Sequence, residues 1–294
     1  MIDPHPPDPP GLAAGRPLNL PGRGTTFIRT ADGPEHAPTL MLLHGWTVNA
    51  ALNWFGAFEP LARSFNVIAL DHRGHGRGIR TWRRFRLEDC ADDAVAVADA
   101  LGIKTFIPVG YSMGGPIAQL IWHRHPTRVD GLVMCATSRS FARGRNSGRA
   151  AASMMGLASL IARAAPKSVK RNAAERIVNN RFDQSDLGRF ARDQVLQNDT
   201  RMVVEAGTAL AAFTSRDWIG GVDVPTAVVV TEHDTVVPPH RQRRLASAIP
   251  QAAVFPIDAD HGVCATDTSV FIPALVNACL NVVQRHGDLS YRVS

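Results

Sequence analysis

No run of apolar residues in this 294-residue sequence reaches the roughly 18 that a membrane-spanning helix needs. The N-terminus, MIDPHPPDPP, lacks both the basic and the apolar segment of a secretory signal. Cysteine is scarce. The four present, Cys90, Cys135, Cys264 and Cys279, form no C-x-x-C pair and no zinc spacing, so they read as reduced thiols. These absences predict a soluble, cytoplasmic protein. Lysine is nearly missing too, with 3 against 29 arginines, so the net charge of +6 reflects a coding bias as readily as a partner. No aromatic-and-basic ribonucleoprotein pattern and no zinc-finger spacing accompanies the charge, and no nucleic-acid partner is expected.

What is present is ordinary globular material, 45% hydrophobic and 20% charged, long enough to bury a full core. Residues 1 to about 24 are rich in Pro and Gly and are expected to be poorly ordered. Beyond them, short β-branched runs alternate with longer amphipathic stretches, the pattern of a parallel sheet flanked by helices. Strands are predicted at 39–45, 65–71, 105–112, 131–137, 226–234 and 252–258, several without polar alternation, as for strands covered on both faces. Helices are predicted at about 50–64, 88–101, 114–125, 238–248 and 268–285, with Asp89, Asp92 and Asp93 favoured by the macrodipole in the second. Residues 138–215 break this rhythm and read as a helical cap. The expectation is an α/β fold with a mostly parallel, doubly wound sheet, its core formed by 25–137 and 216–287.

The run TFIPV leads directly into Gly110-Tyr111-Ser112-Met113-Gly114, and a helix follows. This is G-x-S-x-G in strand–turn–helix context. A serine on so tight a turn takes unfavourable backbone angles, and side chains at Gly110 or Gly114 would collide across it. The turn exposes the hydroxyl and aims the next helix's N-terminus at it, where a developing oxyanion meets partial positive charge.

A serine hydroxyl is a poor nucleophile until a histidine takes its proton, and the histidine needs an orienting carboxylate. His261 lies in Asp258-Ala259-Asp260-His261-Gly262, just past the last predicted strand. Asp234 ends TAVVVTEHD, with Glu232 and Asp260 as competing acids. Ser112, Asp234 and His261 follow the chain order serine, acid, histidine, off the carboxyl ends of strands where open α/β sheets bind ligands.

Five ordered features resemble the α/β-hydrolase family over about residues 25–285: His44-Gly45-Trp46, Asp71-His72-Arg73-Gly74-His75-Gly76, Gly110 to Gly114, Glu232-His233-Asp234, and His261. The resemblance implies an oxyanion hole from the backbone N–H groups of Trp46 and Met113, a bracing role for His44 and a structural D-x-R-G-x-G turn. Serine at 112 sets the chain apart from the similar dehalogenases and epoxide hydrolases, which need aspartate there, and points to an esterase or lipase-like branch. The expected activity is hydrolysis of a small-molecule carboxylic ester, without cofactor. Thioesterase, acyltransferase and cofactor-free perhydrolase activities would use the same triad, and a non-enzymatic ligand-binding protein could share the fold.

Weaker signals count for less. His125 and Asp130 match H-x-x-x-x-D, but about 0.7 such matches arise by chance in this composition. His72 and His75 lack a third and fourth ligand at useful spacing, so no metal is expected. The cap carries thirteen arginines and lysines against six acids, and no acid stands between Asp130 and Glu175. Within that stretch Met154, Met155 and Leu157 suggest a deformable apolar roof for acyl chains longer than acetate. The surrounding arginines suggest a weak contact of the cap with an anionic membrane surface.

Overall fold

The computed structural model describes residues 8–141 and 185–293. The elements run β1 (Gly15–Leu20), β2 (Gly24–Ala31), β3 (Thr39–Leu43), α1 (Ala50–Trp54), α2 (Phe58–Ala62), β4 (Asn66–Leu70), α3 (Leu87–Ala100), β5 (Ile107–Tyr111), α4 (Gly114–Arg124) and β6 (Leu132–Cys135). Then follow α5 (Asp186–Leu196), α6 (Thr200–Ala212), β7 (Thr226–Thr231), α7 (Pro239–Ala246), β8 (Ala253–Ile257), α8 (Val263–Thr266) and α9 (Thr268–Val293). Eight strands form one sheet in the order β1-β2-β4-β3-β5-β6-β7-β8. The β1–β2 and β2–β4 pairings are antiparallel, and those from β4–β3 to β7–β8 are parallel.

The apolar strands bury both faces. Met41 and Leu43 of β3 point into a core with α3 and α4, whereas Leu40 and Leu42 point into a second core with α1, α2 and α9. That two-sided burial is why β3, β5, β6 and β7 show no polar alternation in sequence.

Two expectations are corrected. Residues 1–24 are not wholly irregular, because β1 lies there and pairs with β2 from Gly15↔Arg29 to Leu20↔Gly24, so the core begins before residue 25. β1 is a largely exposed edge strand containing Pro17, so it lacks the apolar signal and tolerates a missing N–H. The helix expected at 50–64 is two helices, α1 and α2. Gly56 sits at the break, and Pro60 has no N–H to bond back to the Gly56 carbonyl.

The segment expected to form the cap joins β6 to β7. Its two ends meet across an antiparallel bridge, Ser140↔Thr214, with Ser215 N–H donating to Arg139 O at 2.9 Å. α5 and α6 belong to it. Met154, Met155 and Leu157, and the basic residues from Arg143 to Arg181, lie outside the described residues. Among the described residues no helix is long and apolar enough to cross a membrane.

Candidate active site

Parallel pairing brings the carboxyl ends of β3, β5, β7 and β8 to one rim of the sheet, and each leads into one part of the site. After β5, Ser112 adopts φ +51° in a tight strand-to-helix turn. A Cβ on Gly110 would lie 2.3 Å from Gly114 O, and one on Gly114 would lie 2.0 Å from Leu43 O, so only glycine fits at either position. Ser112 N–H donates to Cys135 O at 2.9 Å, and Ser112 O accepts from Thr137 Oγ1 at 2.7 Å and Gly115 N at 3.0 Å. These bonds hold a backbone conformation that a lone serine would avoid.

His261 reaches the serine from the loop after β8. Ser112 Oγ donates to His261 Nε2 at 3.0 Å, and His261 Nδ1 donates to Asp234 Oδ2 at 2.6 Å. Asp234 is buried and fully partnered. Its Oδ1 accepts from Val236 N (2.8 Å) and Val237 N (2.7 Å), and its Oδ2 also accepts from Thr231 Oγ1 (2.9 Å) and Gln242 Nε2 (3.2 Å). A buried carboxylate so bonded stays in place, and it fixes the imidazole with Nε2 free to accept the serine proton.

The competing acids are occupied elsewhere. Glu232 pairs with Arg243, and Asp260 accepts Gly262 N at 2.7 Å in an exposed turn. The H-x-x-x-x-D pair does not assemble: His125 Nε2 bonds Asp92 at 2.9 Å, while Asp130 faces His286.

The His44–Trp46 loop follows β3. A Cβ built on Gly45 would stand 3.5 Å from Ser112 Cβ, so this loop lies against the serine. Neither the Trp46 nor the Met113 backbone N–H enters a turn, loop or cap hydrogen bond among the described residues. His44 braces the loop: Nε2 accepts from His72 N at 2.9 Å, leaving Nδ1 to donate to Gly45 O at 2.8 Å. The Asp71–Gly76 turn is held on both sides. Asp71 accepts from Ala50 N (3.0 Å) and Arg77 N (2.8 Å), and buried Arg73 makes a bidentate pair with Asp93 at 2.7 and 2.8 Å. Asp93 and Asp89 therefore hold specific partners, beyond the dipole interaction expected of them.

Sequence reading missed four supporting residues. Thr231 and Gln242 hold Asp234, and Tyr111 donates its hydroxyl to His261 O at 2.8 Å. The fourth is Asn198, between α5 and α6. Its Nδ2 donates to Thr47 O at 2.7 Å and its Oδ1 accepts from Gly76 N at 2.7 Å. Thr47 has φ +69°, an outlier for a β-branched residue, immediately after Trp46. Trp46 Nε1 in turn donates to Val203 O of α6 at 2.8 Å. Thr231 and Gln242 lie near Asp234 in sequence but no motif marks them, whereas Tyr111 and Asn198 act across 150 and 151 residues of chain.

A mostly parallel sheet with a serine elbow, followed by an acid and a histidine on the next loops, defines a class of α/β hydrolases. The sequence profile of the alpha/beta hydrolase fold matches residues 38–268, and the chain belongs to that family. It is similar to the pimeloyl-[acyl-carrier protein] methyl ester esterase of Chromobacterium violaceum, 28% identical over 85% of this chain and 96% of that protein. It also resembles the AB hydrolase superfamily protein YisY of Bacillus subtilis, 25% identical over 77% and 86%. A hydrolase structure from Pseudomonas aeruginosa PA01 superposes with TM-score 0.76 over 90% of this chain and 98% of that one, at 20% identity, and shows the shared fold.

Proposed function

We propose that this chain is a serine hydrolase that cleaves a carboxylic ester through an acyl-enzyme. The observation that carries this reading is the unbroken hydrogen-bonded run from Ser112 through His261 to Asp234. Ser112 Oγ attacks the ester carbonyl as its proton passes to His261 Nε2, and the imidazolium is stabilised by Asp234. The Trp46 and Met113 N–H groups take the oxyanion. Collapse of the tetrahedral intermediate breaks the bond to the alcohol oxygen, which receives the proton from His261. Water then adds to the acyl-enzyme with His261 as base, releasing the acid and restoring Ser112. The esterase name of the Chromobacterium violaceum relative supports an ester substrate.

The test is a fluorophosphonate probe with a p-nitrophenyl ester series. Labelling should map to Ser112 alone and block ester turnover. Labelling that persists in Ser112→Ala, or none in the parent, defeats the proposal. Turnover confined to thioesters, to peracid formation or to acyl transfer would redirect it within the same chemistry.

Asn198 is expected to position the oxyanion loop, since it holds the carbonyl of strained Thr47 next to Trp46. Asn198→Leu should lower kcat about 10- to 100-fold with little change in KM, because a misplaced donor costs most in the transition state. Steady-state kinetics beside a melting curve checks this, and an unchanged kcat would remove Asn198 from the positioning role.

A further inference from the structure

The turn between Arg80 and Arg86 leaves the same rim of the sheet as the site, since it follows β4 through the Asp71–Gly76 turn. It is clamped at both ends. Arg201 of α6 donates to Thr81 O, and Phe85, itself buried, donates its N–H to Glu205 Oε2 at 2.8 Å. Arg80 donates to Gly78 O at 2.7 Å and to Gln197 O at 2.8 Å. Between these clamps Arg83 N–H donates to Thr81 Oγ1 at 3.2 Å, and the tip Trp82-Arg83-Arg84 stands out into solvent.

Trp82 is 92% exposed, more than any other exposed large hydrophobic among the described residues. Arg83 and Arg84 are exposed and make no ion pair with a described carboxylate, whereas Arg86 faces Glu88 at 3.5 Å. We propose that this clamped Trp82-Arg83-Arg84 turn docks on an anionic lipid surface. An indole seats at headgroup level, and exposed guanidinium groups beside it meet lipid phosphates. The turn presents a single indole flanked by two cations, with no exposed large hydrophobic neighbour in sequence, and charge complementarity favours a surface of phosphates. The clamps matter because a turn already ordered loses little freedom on binding. Docked this way, the sheet rim carrying Ser112 lies on the lipid side.

The Ser112→Ala protein is sedimented with phosphatidylcholine vesicles, with and without phosphatidylglycerol. Docking at this turn uses no residue of the triad, so the result does not depend on whether Ser112 is the nucleophile. Binding is expected only with phosphatidylglycerol, falling as salt rises. Arg83→Gln and Arg84→Gln should each weaken it about fivefold. Trp82→Ala should weaken it further, and quenching of tryptophan emission by brominated lipid should be lost in Trp82→Phe. Introduced with Ser112 intact, the same changes should leave turnover of a soluble ester at the parent level, which verifies the fold. No binding, equal binding to neutral vesicles, or binding unchanged in the combined Trp82, Arg83 and Arg84 variant would each overturn the proposal.

Discussion

Asp234→Asn is expected to lower kcat by on the order of 10⁴, as the equivalent change does in a serine protease, with the fold retained. The reason lies in which atoms can donate. Asp234 Oδ1 accepts two backbone N–H groups, from Val236 and Val237, so the asparagine oxygen is held there. Its Nδ2 must then face His261 Nδ1, where Oδ2 now accepts at 2.6 Å. Two donors cannot share that contact, and the imidazole moves its proton to Nε2. In that tautomer it cannot take the proton of Ser112. The amide also faces the Gln242 Nε2 donor, costing about 1–3 kcal/mol of stability, so a modest drop in melting temperature accompanies the loss. Asp260→Asn should change kcat little, since Asp260 only caps an exposed turn. Parallel kinetics of the two variants decides it, and the reverse ranking would mean that the acid is misassigned.

Stability should fall steeply between pH 7 and pH 5, through His44, His72 and His75. All three are buried, with ring centroids 4.3 Å apart for His44 and His72 and 5.4 Å apart for His44 and His75. Burial, then His75 and Arg73, push His72 down to about 3, and burial carries His75 down to about 4. Burial, then the neighbouring imidazoles, hold His44 well below the ordinary range. Neither ring nitrogen of His72 finds a hydrogen-bond partner among the described residues. The unfolded chain binds protons at these residues near pH 6.5 and the folded chain does not, so unfolding takes up protons as the pH falls. Their contribution is complete above pH 6.5 and is lost as the pH drops toward 4 and 3. At pH 5, His72 and His75 each cost about 2 kcal/mol. Asp71, its carboxyl raised by burial, works in the opposite direction from the unfolded carboxylate range upward. Urea unfolding at pH 7, 6 and 5 measures the slope. His72→Phe removes one titrating group and should flatten it, and an unchanged slope would show that the acid sensitivity lies elsewhere.

His44, His72 and His75 also show the difference between local and tertiary information. As a sequence they suggested a bracing residue and an insufficient metal pair. Only the pairing of β3 beside β4 brings the three buried rings together, tilted against one another. Among the described residues no group of three or more His, Cys, Asp or Glu is arranged to hold a metal ion.

Of the six strands read from apolar runs, β3 to β7 were legible because a strand covered on both faces needs uninterrupted Val, Ile, Leu and Ala, whereas β8, at the sheet edge, alternates in exposure and showed only a short apolar run. The serine turn was legible for a similar reason. Gly110 and Gly114 are required within five residues of chain, where backbone sterics alone exclude a side chain. Asp234 and His261 could be picked out because strand ends carry loops, although only the parallel sheet brings them within hydrogen-bonding distance of one another and of Ser112. The edge strand β1 was not legible, because an exposed strand keeps no apolar signature and owes its place to pairing with β2. Thr231, Gln242, Tyr111 and Asn198 were not legible either. Tyr111 and Asn198 reach partners that sequence spacing does not bring near, and Thr231 and Gln242, though close to Asp234 in sequence, meet it only through the fold of the turn and helix after β7. The sequence by itself determined which residues could be nucleophile, acid and base, because those roles demand particular chemical groups. The tertiary structure alone decided which polar side chains hold them in place, because that depends on distances set by the packing of the sheet and the cap helices.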